Sequence, residues 1–218
     1  VPVIFPQFER LGPLPRHGLV RTTPWTVEHV SQSATDVLIV LCLNDSEVTQ
    51  SVWAHAFATE LTIRLNANRL DIELAVINTS LAAFHFTAAL HTYLRVQDID
   101  RVGLEGLNRL RYRDSTRGTE QVDPHQALQI SGEVDRTYFD AARELTLNDG
   151  GFRKRISAAG FHDVVVWNPG PEKCAALPDM PINGYREMLC VEAAAIGRPI
   201  DLPAGEQWVG RQSIECLD

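Results

Sequence analysis

No apolar run in this sequence reaches the length that a membrane-spanning helix requires. A basic stripe is missing too. With 20 Lys and Arg against 28 Asp and Glu, the formal net charge is −8, so nothing is available to displace counterions from a nucleic-acid backbone. Any anionic ligand must be met by local cations. Neither a P-loop nor a GxGxxG following a strand occurs, and there is no GxSxG elbow or HExxH helix. The common signatures of nucleotide, dinucleotide, serine-hydrolase and zinc-protease chemistry are thereby absent. The four cysteines, Cys42, Cys174, Cys190 and Cys216, show no CxxC spacing, and two lie inside apolar segments ("VLIVLCL", "EMLCVEA"). They read as reduced thiols of a cytoplasmic protein rather than a disulfide frame or a zinc site. Long stretches of helical period are also scarce.

What is present is a succession of short strand-like segments separated by turn residues, the pattern of an all-β fold. Strands are expected over 36–43, 60–66, 69–78, 83–96, 101–107, 126–139, 162–169, 187–196 and 207–217. "RYRDSTRGTEQV" reads as a loop, "PGPEKCAALPDMPINGYREM" as a long connection with one helical turn, and "DLPAGEQW" as a hairpin turn between two strands. With no repeat, low-complexity tract or linker, one domain over 1–218 is the economical expectation.

The stretch "FHFTAALHTYLRV" carries the first chemical signal. At period two, Phe84, Phe86, Ala88 and Leu90 share one face, while His85, Thr87, Ala89, His91 and Tyr93 share the other. His85 and His91 stand six residues apart, about 20 Å along a strand, so they cannot share one metal ion. His91 reads either as a strand histidine satisfied by a hydroxyl or as a proton-transfer group. Glu192 sits in the apolar run "MLCVEAAAI", where an unpaired buried carboxylate would be costly. It therefore points to solvent, has a partner, or lines a wet pocket as one half of an acid–base pair with an imidazole. "PLPRHGLVR" places Arg16, His17 and Arg21 around a glycine, a setting suited to a carboxylate or phosphate. Asp135 in "SGEVDRTYF" is explained equally by ligand binding and by a local ion pair with Arg136.

Taken together, "VPVIFPQFERLGPLPRHGLVRTTPW", "FTAALHTYLRVQDI", "SGEVDRTY", "VVVWNPGPEK", "LPDM", "GYREMLCVEAAAI" and "LPAGEQWVGRQSI" resemble the aldose 1-epimerase superfamily, specifically its hexose-6-phosphate mutarotases (glucose-6-phosphate 1-epimerases). The resemblance spans nearly the whole chain in the family's order. It implies a large antiparallel β-sandwich holding a sugar phosphate on a concave sheet face, by a chemistry that needs no cofactor; a monomer without a metal site is the separate expectation. His91 is then the general acid and Glu192 the general base. Arg21 becomes a phosphate contact, Asp135 a substrate-binding carboxylate and His17 a pocket residue. Where many relatives carry glutamine this chain has Arg16, which would add a second phosphate contact or point to solvent. Relatives also carry further strands ahead of "VPVIFPQF", so the chain is expected to represent the C-terminal three quarters of the family fold.

Overall fold

The computed structural model describes residues 1–217; Asp218, the last residue of the expected domain, lies outside the described residues. The first strands in chain order are β1 (Val3–Ile4), β2 (Thr26–Gln32), β3 (Asp36–Asn44), β4 (Phe57–Asn66), β5 (Arg69–Asn78) and β6 (Phe84–Leu90). After these come β7 (Tyr93–Arg95), β8 (Val102–Glu105), β9 (Arg111–Asp114), β10 (Thr119–Val122), β11 (Ala127–Gln129) and β12 (Val134–Tyr138). The chain continues with β13 (Leu145–Asp149), β14 (Phe152–Ala159), β15 (Asp163–Asn168), β16 (Met188–Leu202) and β17 (Gln207–Cys216). Two short helices interrupt them, α1 (Glu47–Val52) and α2 (Gly170–Ala176). No helix among the described residues is long and apolar enough to cross a membrane.

The strands form two antiparallel sheets packed as a β-sandwich. One runs β1-β6-β16-β15-β12-β9-β10, with β7 also pairing β16; the other runs β11-β8-β13-β14-β17-β5-β4-β3-β2. Alternation along each strand explains the layering. Phe84, Phe86, Ala88 and Leu90 of β6 meet Ile72, Leu74 and Val76 of β5 between the sheets. At the other end Val134 and Tyr138 of β12, with Val164 and Val166 of β15, meet Leu145 and Leu147 of β13. The opposite face of the first sheet carries a smaller apolar patch of Ile4, Phe8, Ala89, Val165, Ala194 and Ile196. That face holds the cavity.

Several expectations need correction. The 83–96 segment is two strands, with a break at His91 and Thr92. There Thr92 Oγ1 donates to Gln212 Oε1 at 2.6 Å, and Gln212 Nε2 donates to the Val191 carbonyl at 2.9 Å. A side chain of the facing sheet thus takes up backbone hydrogen-bonding capacity that an uninterrupted ladder would use. The 126–139 segment likewise splits into β11 and β12, one in each sheet. "RYRDSTRGTEQV" is not a loop but the hairpin β9–β10, because its alternation buries Tyr112 and Asp114 while Arg111 stays exposed. "DLPAGEQW" does not turn a hairpin: β16 and β17 lie in different sheets, and the connection bonds instead to Asn78, through Gly205 N to Asn78 O and Asn78 N to Glu206 O. The pair β13–β14, turned by Gly150 and Gly151 at positive φ, was not anticipated.

Candidate active site

Strand register builds the floor of the cavity. Asp135 pairs with Trp167, Trp167 with Cys190 and Cys190 with Tyr93, one row across β12, β15, β16 and β7. In the neighbouring row Val165 pairs with Glu192. Leu90 pairs with Ala193 on one side of the β6–β7 break and Tyr93 with Cys190 on the other. The register is the same on both sides, so His91 falls opposite Glu192. Neighbours across an antiparallel ladder stand close enough for side chains to touch, and His91 Nδ1 lies 3.4 Å from Glu192 Oε1.

The second wall is the proline-bounded loop between β1 and β2. Buried Gln7 pins it, donating through Nε2 to the carbonyls of Glu9 and Leu14 and accepting from Leu14 N. The loop then folds back on itself, with His17 N donating to the Glu9 carbonyl and Glu9 N donating to His17 Nδ1. That bond leaves the neutral His17 proton on Nε2. His17 and Gly18 are both left-handed, at φ 65° and 75°. The turn presses the His17 ring edgewise against His91, with centroids 5.9 Å apart. Tyr93 stacks on His91 at 4.9 Å and an interplanar angle of 10°, while Trp167 meets it edge-on at 6.0 Å. Three rings therefore hold one imidazole plane.

The cavity, open to solvent at its rim, measures about 420 Å³ and is lined by all six of the expected residues, Arg16, His17, Arg21, His91, Asp135 and Glu192. His85 is exposed, outside that lining. The ion-pair reading of Asp135 fails: Arg136 reaches Asp114 at 3.7 Å and Asp123 at 3.6 Å, leaving the Asp135 carboxylate to the cavity. Arg16 lies 3.3 Å from Glu9 at the rim, whereas Arg21 makes no hydrogen bond or ion pair among the described residues. Sequence reasoning missed Trp167, Glu9, Asp179 and Lys173 as lining residues. Trp167 was the findable one, since it lies one strand over from Asp135 at matching parity. Lys173 of α2 bonds Glu133 at 2.6 Å, a pairing between distant segments that no local pattern announces.

Electrostatics sharpen the pair. Burial raises the Glu192 carboxyl well above its ordinary range, and the charge of Asp135 adds to the effect. Burial lowers His91 to about 4, with Arg21 and Arg16 contributing, and lowers His17 to about 3. The Cys190 thiol is pushed well up by burial and by Glu192. Its sulfur and the donors of His91 and Glu192 lie within 4.8 Å of one another, but a thiol held protonated is a poor metal ligand. His91 Nδ1 and Glu192 Oε2 are buried without a hydrogen-bond partner.

These shifts set opposite stability slopes. Between about pH 6.5 and 4 the unfolded chain binds a proton at His91 that the folded chain refuses, so stability falls as pH falls through that window. Glu192 does the reverse: above about pH 4.5 the unfolded carboxyl ionises while the folded one keeps its proton, so stability falls as pH rises. Melting curves from pH 4 to 8 should show His91→Gln losing less stability than the parent on acidification. Glu192→Gln should lose less on alkalinisation. Parallel curves for all three proteins would contradict both assignments.

The aldose 1-epimerase family model matches residues 1–215. The chain belongs to this family. Among its curated members, a Cenchrus ciliaris protein provisionally named glucose-6-phosphate 1-epimerase is 32% identical over 228 residues, covering 100% of this chain and 69% of that protein. An Escherichia coli K12 protein with the same provisional name is 33% identical over 203 residues, covering 89% and 66%. The chain thus spans about two thirds of the length of the curated relatives it matches. Among solved structures, a provisionally named mutarotase from Salmonella typhimurium superposes with a TM-score of 0.89 at 26% identity, covering 98% of this chain and 72% of that one. A galactose mutarotase related enzyme from Lactobacillus acidophilus shares the fold, with a TM-score of 0.76 at 17% identity over 100% of this chain and 82% of that one. Aldose 1-epimerases are isomerases, and the β-sandwich described above is the fold of these relatives.

Proposed function

We propose that the chain interconverts the α and β anomers of a hexose 6-phosphate, with Glu192 as base and His91 as acid, on a single domain. The observation that carries this reading is the facing pair, Nδ1 to Oε1 at 3.4 Å, on the floor of a cavity whose rim carries Arg16 and Arg21. Glu192 takes the proton of the anomeric hydroxyl as the bond from C1 to the ring oxygen breaks. His91 delivers a proton to that oxygen. With Nδ1 buried against Glu192, Nε2 is the nitrogen left for the donation. The open aldehyde turns about C1–C2 and closes on its other face with the roles reversed. Asp135 accepts from a sugar hydroxyl, and neutral His17 supplies an Nε2–H donor. Each acid or base group contributes roughly 10²–10⁴-fold in rate.

Magnetisation exchange between the anomers of glucose 6-phosphate, with glucose and galactose as comparisons, tests the reading. Exchange well above the buffer rate and selective for the phosphosugar supports it; equal or absent acceleration opposes it. The pairing of Arg16 with Glu9 favours a second reading, in which the substrate is an unphosphorylated aldose and one of the two rim cations is already spent. Changing Arg16 and Arg21 together to Ala separates the two. A rise of roughly ten-fold or more in KM for the phosphosugar is expected, from loss of a charge-assisted contact worth about 1.5–3 kcal/mol, with little change for glucose. Equal effects on both sugars would favour the unphosphorylated substrate.

A further inference from the structure

The proposed chemistry needs a carboxylate at position 192 and an imidazolium at position 91, but the protein's own groups favour the neutral carboxyl and the neutral imidazole, which stand 3.4 Å apart with no hydrogen bond between them. Burial and the neighbouring charges discourage the imidazolium and the carboxylate alike. Left to itself, the pair is a carboxyl that cannot accept and an imidazole that cannot donate.

The two ends of the pair do not see the same charges. Among the charged side chains Arg21 bears on His91 most strongly, followed by Arg16, whereas the charge bearing on Glu192 is Asp135. The remaining groups around His91 are quiet. His17 is neutral, the Cys190 thiol is held protonated, and burial pushes the Tyr93 hydroxyl up to about 12. At the rim Glu9 is taken by Arg16 and Lys173 by Glu133, and Asp179 lies across the cavity lining. Arg21 is the cation near the imidazole with no counter-charge among the described residues.

We infer that the substrate's phosphate, seated on Arg21, closes the Nδ1–Oε1 approach into a hydrogen bond, draws the carboxyl proton of Glu192 onto His91 Nδ1 and so arms the acid–base pair. The inference rests on the hexose-phosphate reading and adds to it: the phosphate switches the chemistry on as well as anchoring the sugar. One O–H bond breaks and one N–H bond forms across the 3.4 Å contact, with no proton gained or lost by the pair. A phosphate group carries about two negative charges at neutral pH. Placed on the imidazole side, it cancels the Arg21 charge and favours positive charge at that end over the other. A free hexose brings no such charge, so it meets an unarmed pair.

The test supplies the sugar and the dianion as separate pieces. Anomer exchange of free glucose is measured with and without inorganic phosphite, beside glucose 6-phosphate as reference. A saturable rise of about ten-fold or more is expected, equivalent to a proton-placement shift of about one pKa unit. In Arg21→Met the phosphite effect should vanish and the kcat for glucose should rise, because the cation opposing the imidazolium is gone. An arginine that only anchors would raise the KM for glucose 6-phosphate and leave the glucose kcat unchanged. The third readout is the ¹⁵N shift of the His91 ring at saturating glucose 6-phosphate, assigned with His91→Asn; Nδ1 should move from the unprotonated to the protonated range. If glucose 6-phosphate is turned over but phosphite does nothing and Nδ1 stays put, the arming idea is overturned and the substrate reading stands. If glucose 6-phosphate is not turned over faster than in buffer, the substrate reading itself fails.

Discussion

Glu192→Gln should lower kcat for anomer exchange by roughly 10²–10⁴-fold and leave the fold intact. The side chain sits at 1% exposure in β16, its backbone is held by β15, and glutamine has nearly the same shape. What is lost is the ability to take a proton. Glutamine also cannot carry the charge that burial penalises, so the melting temperature at neutral pH should equal or exceed that of the parent. Exchange rates and a thermal melt on the same preparation check both halves. Activity within a few-fold of the parent would remove Glu192 from the mechanism, whereas a cooperative melt tens of degrees lower would make the loss structural.

Gly18→Ala carries the second large effect. A Cβ at this position would stand 2.1 Å from the Phe5 carbonyl oxygen and 2.8 Å from Pro6 N, at φ +75°. The obstacle is the backbone of the Phe5–Pro6 peptide, so no rotamer relieves it. The change should cost about 2–4 kcal/mol of stability and depress turnover of free and phosphorylated sugars alike, because the displaced turn carries His17 and precedes Arg21. Gly118 provides the contrast. It too is left-handed, at φ +64°, but a Cβ there meets nothing within 4 Å, so Gly118→Ala should cost about 1 kcal/mol and leave turnover unchanged. Denaturation midpoints and kcat for the two variants, side by side, decide whether the tight turn or left-handed glycine in general matters here.

Much of this was readable in the residues, for identifiable reasons. Strands with clean alternation or a continuous apolar run, such as β5 and β16, declared themselves. Those built from charged residues, such as β9 with its Arg-Tyr-Arg-Asp alternation, were hidden because their burial depends on partners far along the chain. Sheet membership was hidden for the same reason. Nothing local in "DLPAGEQW" says that its two ends join different sheets, which depends on Asn78 being there to receive the connection. All six expected site residues line one cavity, but their arrangement was not legible. That His91 faces Glu192 follows from a register kept across a break, and the break depends on Thr92 and Gln212 from opposite sheets. The open alternatives were settled by faces: Glu192 is buried rather than solvated, and Arg136 turns away from Asp135.

The division of labour between ladder and loop has a consequence for how such a protein can diverge. His91, in the break between β6 and β7, is held opposite Glu192 of β16 by the register kept on both sides of that break, and a slip of one residue in either partner would send that partner's side chain to the other face, so their spacing leaves almost no room for drift. Arg16 and Arg21 hang on a connection held by Gln7 and by a few backbone bonds, and such a connection can change length or composition without disturbing the strands beneath. Descendants of one ancestor could therefore exchange their rim, and with it the sugar they prefer, while inheriting the same reacting pair. Recombining the 7–21 segment between relatives should transplant preference without transplanting chemistry.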